Sequence, residues 1–211
     1  MKDNRPGLML FTPPIGDAAA FAGPLREALS GGDIAALVLD LAGTDPRGHV
    51  NAVKLLAPIA QSKGVALLVA GHPEIVTRGG ADGVHLSNLG SLDVALDLVK
   101  SHGGMVGAAG LQLRDDAMAA AEKGVDYVLF GEKRDDGTLP SLSGLIERVS
   151  WWAEIFETPC VAFAPSLEAI DELGATGAEF VALCEPVWTH AEGPASAVKA
   201  ALQRLAHRTM A

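Results

Sequence analysis

With 211 residues, 49% of them hydrophobic and only 5% aromatic, the chain can bury one large aliphatic core and reads as a single domain over residues 1–211. A formal net charge of −10 argues against the Lys and Arg stripes that a phosphate backbone or an anionic membrane surface selects, so neither nucleic acid nor membrane is expected as a partner. Cys160 and Cys184 fall in predicted strands rather than in a Cys-x-x-Cys pair, and there is no apolar stretch of about 18 residues and no N-terminal targeting pattern, so a reduced, cytoplasmic protein is expected.

In chain order, short Val/Leu/Ala-rich runs predict strands over residues 8–11, 34–40, 65–69, 83–86, 105–109, 127–130, 160–163 and 180–184. Segments of helical period follow each of them, at 17–30, 50–63, 74–78, 92–102, 114–123, 140–157, 167–173 and 194–207. Pro73 and Gly79 confine the third to little more than one turn. One echo recurs along the chain: Gly80-Ala81-Asp82-Gly83-Val84-His85-Leu86, Gly124-Val125-Asp126-Tyr127-Val128-Leu129-Phe130 and Gly177-Ala178-Glu179-Phe180-Val181-Ala182-Leu183. A helix closed on Gly and followed at once by a buried strand is the αβ junction of a parallel sheet. Eight such pairs predict a closed (β/α)8 TIM barrel, since a doubly wound sheet stops at about five or six strands.

In such a barrel the reactive groups sit in the loops that follow the strands. The long polar ones are 41–49, 131–139 and 185–193. The stretch Gly131-Glu132-Lys133-Arg134-Asp135-Asp136-Gly137 is the most charged, and Lys133 and Arg134 offer cations to an anion unless the loop is simply solvated. Asp40 ends an otherwise apolar strand and needs a partner from Lys133, Arg134, Arg47 or His72, the first two being preferred, unless it caps its own loop. His85 is mouth-facing by position, either as an acid/base group or as a hydrogen-bonded structural residue. Cys160 starts a strand and Cys184 ends its neighbour, so no disulfide is expected and both read as core. Ser166 reads as a helix N-cap. Leu142, Leu145, Ile146, Val149, Trp152 and Phe156 form the barrel-facing stripe of the sixth helix, while Trp151 points away as an exposed indole suited to self-association into a homo-oligomer. Trp188 is a second candidate, for a subunit contact or for a wall stacking on a bound heterocycle.

The stretch 79–86, with Gly107 further on and Gly124-Val125-Asp126-Tyr127 before Phe130-Gly131, resembles the thiamine phosphate synthase family and its thiazole tautomerase-like relatives. Order and spacing agree from Leu8-Met9-Leu10-Phe11-Thr12 to the closing helix. The resemblance implies a (β/α)8 barrel that joins a pyrimidine diphosphate to a thiazole phosphate, releasing pyrophosphate with the help of Mg2+. It also implies several departures. Where the family has Gln-Leu-Arg-x-Lys at strand two, this chain has Val38 for the Arg and Asp40 for the Lys. The family's Asn-Asp-Arg after strand three is Ala70-Gly71-His72, and its Gly-Gln-x-Asp after strand four is Ser87-Asn88-Leu89-Gly90, so Gly71 and Gly90 replace the metal-holding carboxylates and no metal ligand is expected. The family Ser after strand five is Ala109. Ala164-Pro165-Ser166 and Glu185-Pro186 stand where phosphate-gripping barrels offer glycine N–H groups.

By this resemblance Lys133 and Arg134 occupy a diphosphate position, Asn88, Ser166 and Glu185 join them as substrate-binding candidates, and Glu132 stands where tautomerase-type relatives carry a catalytic His. Glu132, His85 and Asp40 are the catalytic candidates. The expectation is a divergent synthase-like barrel for a small phosphorylated heterocycle, with the alternatives of a non-catalytic ligand- or partner-binding barrel and of a metal-independent isomerase using Glu132 or His85.

Overall fold

The computed structural model describes residues 5–43, 45–133 and 137–206. Eight parallel strands close into a ring in chain order: β1 Gly7–Phe11, β2 Ala36–Leu39, β3 Ala66–Ala70, β4 Gly83–Leu86, β5 Met105–Ala108, β6 Tyr127–Phe130, β7 Cys160–Phe163 and β8 Phe180–Leu183. Around it lie α1 Ala18–Ser30, α2 Pro46–Gln61, α3 Val76–Gly79, α4 Leu92–Ala95, α5 Arg114–Glu122, α6 Leu142–Ile155, α7 Ile170–Leu173, α8 Glu185–Trp188 and α9 Pro194–Ala206. The (β/α)8 barrel expected from the eight counted pairs is the observed fold.

Strand alternation divides the apolar residues between two cores. Leu8, Leu10, Leu37, Leu39, Leu67 and Val69 point outward to the helices, whereas Met9, Val38, Leu68, Tyr127, Leu129, Val161 and Ala182 fill the bore. The recurring echo has a physical basis at the floor of the barrel. Gly80, Gly124 and Gly177 adopt φ of 81°, 91° and 91°, which turns each helix back into its strand. The acidic residue two positions on then accepts the N–H near the start of the preceding strand: Asp82 from Leu67 at 2.7 Å, Asp126 from Val106 at 2.6 Å and Glu179 from Cys160 at 2.8 Å. Those backbone donors lie below the last ladder bonds, and a carboxylate satisfies them with a charge-assisted bond.

Element boundaries differ from expectation where side chains intervene. Helix α2 begins at Pro46 rather than at residue 50, because Asp45 accepts from Arg47 N and Gly48 N at 3.1 and 3.0 Å and Pro46 suits a first helical position. The stunted third helix is a 3-10 turn, Pro73–Ile75, running into α3 and stopped by left-handed Gly80. The fourth loosens after α4 into a π turn over Leu96–Lys100. Ser166 is not the cap of α7, which starts only at Ile170; its Oγ accepts Ala169 N at 3.4 Å and so caps the turn leading into it. The loop expected over 185–193 opens with α8, started by Pro186 in the first turn. The predicted end of the last helix at His207 lies outside the described residues.

The expected stripe of α6 is buried at Leu145, Val149 and Trp152, with Leu142, Ile146 and Phe156 packed beside them. Trp151 departs from expectation, since its indole is half-buried. It lies edge-on to Trp152 and Phe156 at 5.9 and 5.2 Å, and the Arg114 guanidinium covers it at 4.3 Å. The strongly exposed apolar side chain of this helix is Ile155, at 60%. Cys160 and Cys184 are both free thiols. Among the described residues no helix is long and apolar enough to cross a membrane.

Candidate active site at the barrel mouth

The C-terminal ends of the strands form the mouth, and its floor is aromatic. Phe11, the last residue of β1, crosses the bore to meet His85 of β4 edge-on at 4.9 Å and Phe163 of β7 at 5.5 Å. Under it the His85 ring, 4% exposed, shares a 2.8 Å hydrogen bond between its Nδ1 and the Tyr127 hydroxyl and stacks on that ring at 5.8 Å. Burial pushes the His85 imidazole down to about 3, so it is neutral near pH 7. Burial pushes the Tyr127 phenol well up, with the charges of Glu132 and Asp126 adding to it. His85 thus sits inside the bore rather than on the open rim.

Asp40 follows β2 and is half-buried, with its N–H donated to Thr12 Oγ1 at 2.9 Å and its carbonyl accepting Ile15 N at 2.9 Å. Burial raises its carboxyl above the usual carboxylate range, and the charge of His72 opposes that rise. Of the four expected partners the structure supplies His72. Lys133 is exposed, and among the described residues no ion pair joins it to Asp40; Arg134, with Asp135 and Asp136, lies outside the described residues. His72 is itself held by Glu74, Nδ1 to Oε1 at 3.1 Å, and its ring rests against that of His49 at 4.6 Å. His49 is 5% exposed, and its Nε2 lies 3.3 Å from Ala42 O. A groove lined by Ile15, Leu41, His49 and Leu55 opens beside this cluster.

The remaining candidates lie elsewhere around the rim. Glu132 is half-buried and accepts the N–H of Gly110, which ties the loop after β6 to the loop after β5. Asn88 is exposed and accepts Gly90 N at 3.0 Å, starting a 3-10 turn over Leu89–Ser91. Glu185 is exposed at the start of α8; burial, with the charges of Glu185 and Asp40 adding to it, pushes the Cys184 thiol up to about 11. Trp188 donates its indole N–H to Phe11 O at 2.6 Å and packs on Phe21 at 4.9 Å, which braces the floor residue. The structure therefore gathers Asp40, His72, Cys184 and Glu185 toward the β8-β1-β2-β3 side, with Glu132 on the β5-β6 side. Sequence reasoning named His72 only as a partner and missed His49 and Glu74. The available signal was a His in each of the two segments that follow adjacent strands β2 and β3.

At positions 71 and 90 the geometry is that of a backbone without donors to spare. Gly71 holds φ of 72° and gives its N–H to His85 O at 2.8 Å, and Gly90 gives its N–H to Asn88.

The family model described as thiamine monophosphate synthase matches residues 8–187. A thiamine-phosphate synthase of Rhodospirillum centenum is 37% identical over 94% of this chain and 96% of its own, and one of Hyphomonas neptunium is 37% identical over 93% and 92%. Among solved structures, a thiamine phosphate pyrophosphorylase from Pyrococcus furiosus superposes with a TM-score of 0.79 at 22% identity, covering 97% of each chain. A 3-hexulose-6-phosphate synthase from Salmonella typhimurium gives 0.69 at 17% identity, over 95% of this chain and 99% of that one, which is a likeness of fold. With the matched residues spanning β1 through most of α8, the chain belongs to the thiamine monophosphate synthase family.

Proposed function

We propose that this barrel binds a small phosphorylated heterocycle at its mouth and carries out the family coupling, hydroxymethylpyrimidine diphosphate with thiazole phosphate, weakly or not at all. The observation that carries the reading is the donor chemistry of the rim. Departing pyrophosphate carries developing negative charge, and a site that accelerates its release aims cations at it. Here the rim carries a half-buried carboxylate, Asp40, just after β2 and an exposed one, Glu185, at the start of α8.

A hard divalent cation such as Mg2+ takes oxygen donors, usually carboxylates shared with substrate phosphates. Gly71 and Gly90 provide none, and among the described residues no group of three or more His, Cys, Asp and Glu is arranged to hold a metal. The residues present do not fit the ion at those positions. Loss of a single transition-state contact typically costs about 2.7–4 kcal/mol, so two such losses suppress turnover by several orders of magnitude. The relatives' names support the substrate class, with Lys133, Asn88 and Ser166 as the described candidates for binding it and Glu132 as the remaining acid/base candidate, while Arg134 lies outside the described residues. Coupling assayed with both substrates, Mg2+ and a coupled pyrophosphate readout should stay at background. Robust turnover abolished by chelator would overturn the reading.

A second reading, a non-catalytic ligand- or partner-binding barrel in the cytoplasm, draws on the same rim chemistry. Self-association through α6 belongs to it. Because Arg114 covers Trp151 and Ile155 is the exposed apolar side chain of that helix, light scattering on Ile155→Ser should show a lower mass than the parent, and equal masses would remove this face from the contact.

A further inference from the structure

We propose that Phe11 determines which ligands this mouth accepts, by laying its ring across the bore over His85 in the space that a flat heterocycle would need. A ligand's ring then stays on the rim, and the pocket beneath is closed to it. The proposal rests on the reading that the mouth takes a heterocyclic ligand.

The space exists because the strands on either side of His85 carry almost no side chain beside it. In register with His85 are Ala70 of β3 and Gly107 of β5. An inward side chain with two such neighbours stands in a hollow, and two rings from other strands fill it. Tyr127 enters over Gly107, where a Cβ would clash with its ring, and its hydroxyl takes His85 Nδ1 at 2.8 Å. Phe11 enters from across the bore. By strand alternation it shares the inward face of β1 with Met9, and its ring reaches His85 edge-on at 4.9 Å with Phe163 beside it at 5.5 Å.

The backbone that carries Phe11 is held from two sides. Its carbonyl accepts the Trp188 indole N–H at 2.6 Å, which ties it to α8. The next residue, buried Thr12, donates its N–H to Val38 O at 3.0 Å, and its Oγ1 accepts the N–H of Asp40 at 2.9 Å, which ties it to β2.

Beneath Phe11 the chemistry suits a neutral ring. The surrounding side chains Ala70, Ala109, Leu129 and Phe163 are apolar. Tyr127 holds Nδ1 of His85, and among the described residues nothing bonds Nε2. Since no fully buried side-chain nitrogen or oxygen among them lacks a partner, Nε2 keeps a sliver of solvent contact, although the residue is only 4% exposed. That opening admits water and not a ring. A planar aza-aromatic molecule matches the space that Phe11 fills, with apolar faces for the walls and one polar edge for Nε2. Taking the Phe11 ring away leaves an apolar cavity of the kind that takes up a single aromatic ring.

The test is calorimetric titration of the full chain, of Phe11→Ala and of Phe11→Leu with 4-aminopyrimidine as the neutral base, and with benzene as the apolar control. The parent should give no saturable binding of either. Phe11→Ala should bind both, and the 15N signal of His85 Nε2 should shift with 4-aminopyrimidine and stay in place with benzene. Phe11→Leu keeps most of the apolar contact and hence the fold; it should bind both more weakly, and it decides the matter alone if the Ala variant does not fold. A parent that binds 4-aminopyrimidine with the His85 shift overturns the proposal, and so do folded variants that bind neither probe. Thiazole phosphate titrated into the parent tests the underlying reading separately. Binding without a shift at His85 Nε2 supports a ring held on the rim, and binding with one overturns it. No binding of thiazole phosphate overturns the reading of the mouth, whereas uptake of 4-aminopyrimidine by the variants still supports Phe11 as the residue that closes the pocket.

Discussion

His85 and Tyr127 meet through a gap left by a third residue. They lie on β4 and β6, in register with Gly107 of β5 between them, and a Cβ on Gly107 would stand 2.0 Å from the Tyr127 ring. The missing side chain is what lets the Tyr127 ring lie across β5 to bond His85 at 2.8 Å. Gly107→Ala is therefore expected to displace the phenol and destabilise the fold by about 1–3 kcal/mol, the usual cost of overpacking a filled core. Urea unfolding measures it; an unchanged midpoint would show that the bore has slack the packing does not reveal.

The same pair predicts a pH dependence. His85 titrates near 6.5 when unfolded and is pushed down to about 3 when folded. Between those values the unfolded chain binds a proton that the folded one refuses, so this residue's contribution favours folding above pH 6.5 and is lost as pH falls below it. The loss is about 1.4 kcal/mol per pH unit. Stability of His85→Gln should fall less steeply than the parent's from pH 6.5 to 4, by about one proton's worth of slope. Equal slopes would mean that the folded imidazole takes up its proton with the chain intact.

How much of this was legible in the sequence follows from which forces are local. The barrel was, because the Gly-x-acid echo encodes a turn and a strand start in adjacent residues, and eight alternating segments leave one closed topology. The depth of His85 was not: strand parity gives the side of the sheet, but whether an inward side chain reaches the rim depends on Phe11, seventy-four residues earlier in the chain. Trp151 was misjudged for a like reason, since the Arg114 that covers it comes from α5. The His49–His72 contact joins the first turn of α2 to the segment after β3, and nothing in the period of either segment announces it.

The echo itself can be tested apart from chemistry. Asp126 accepts Val106 N at 2.6 Å and pairs with Lys100 at 2.6 Å on the barrel's lower rim, away from the mouth. Asp126→Ala removes the partner of a part-buried N–H and should cost about 1–3 kcal/mol. Thiazole phosphate binding should be unchanged in the folded variant. A variant that stays fully stable but loses binding would move these junctions from scaffold to site.

The last prediction concerns positions 71 and 90, where the family resemblance expects carboxylates. A Cβ at Gly90 meets only Asn88 Oδ1, at 3.1 Å, and the backbone there is ordinary, so Gly90→Asp should be tolerated with little change in stability. Gly71 has open space around it but a φ of 72°, so Gly71→Asp should cost about 1–2 kcal/mol from the left-handed backbone alone. If these two positions converge on one space at the mouth, the double variant gains two hard oxygen donors where the parent has none. Any ion that binds the native state raises its melting temperature. Mg2+ should then raise the Tm of the double variant above a control at matched ionic strength, and leave the parent's unchanged. A rise in the parent would locate oxygen donors elsewhere, with Asp135 and Asp136 the first to replace, and would weaken the argument for lost synthase chemistry. No rise in either chain would show that the two positions do not converge.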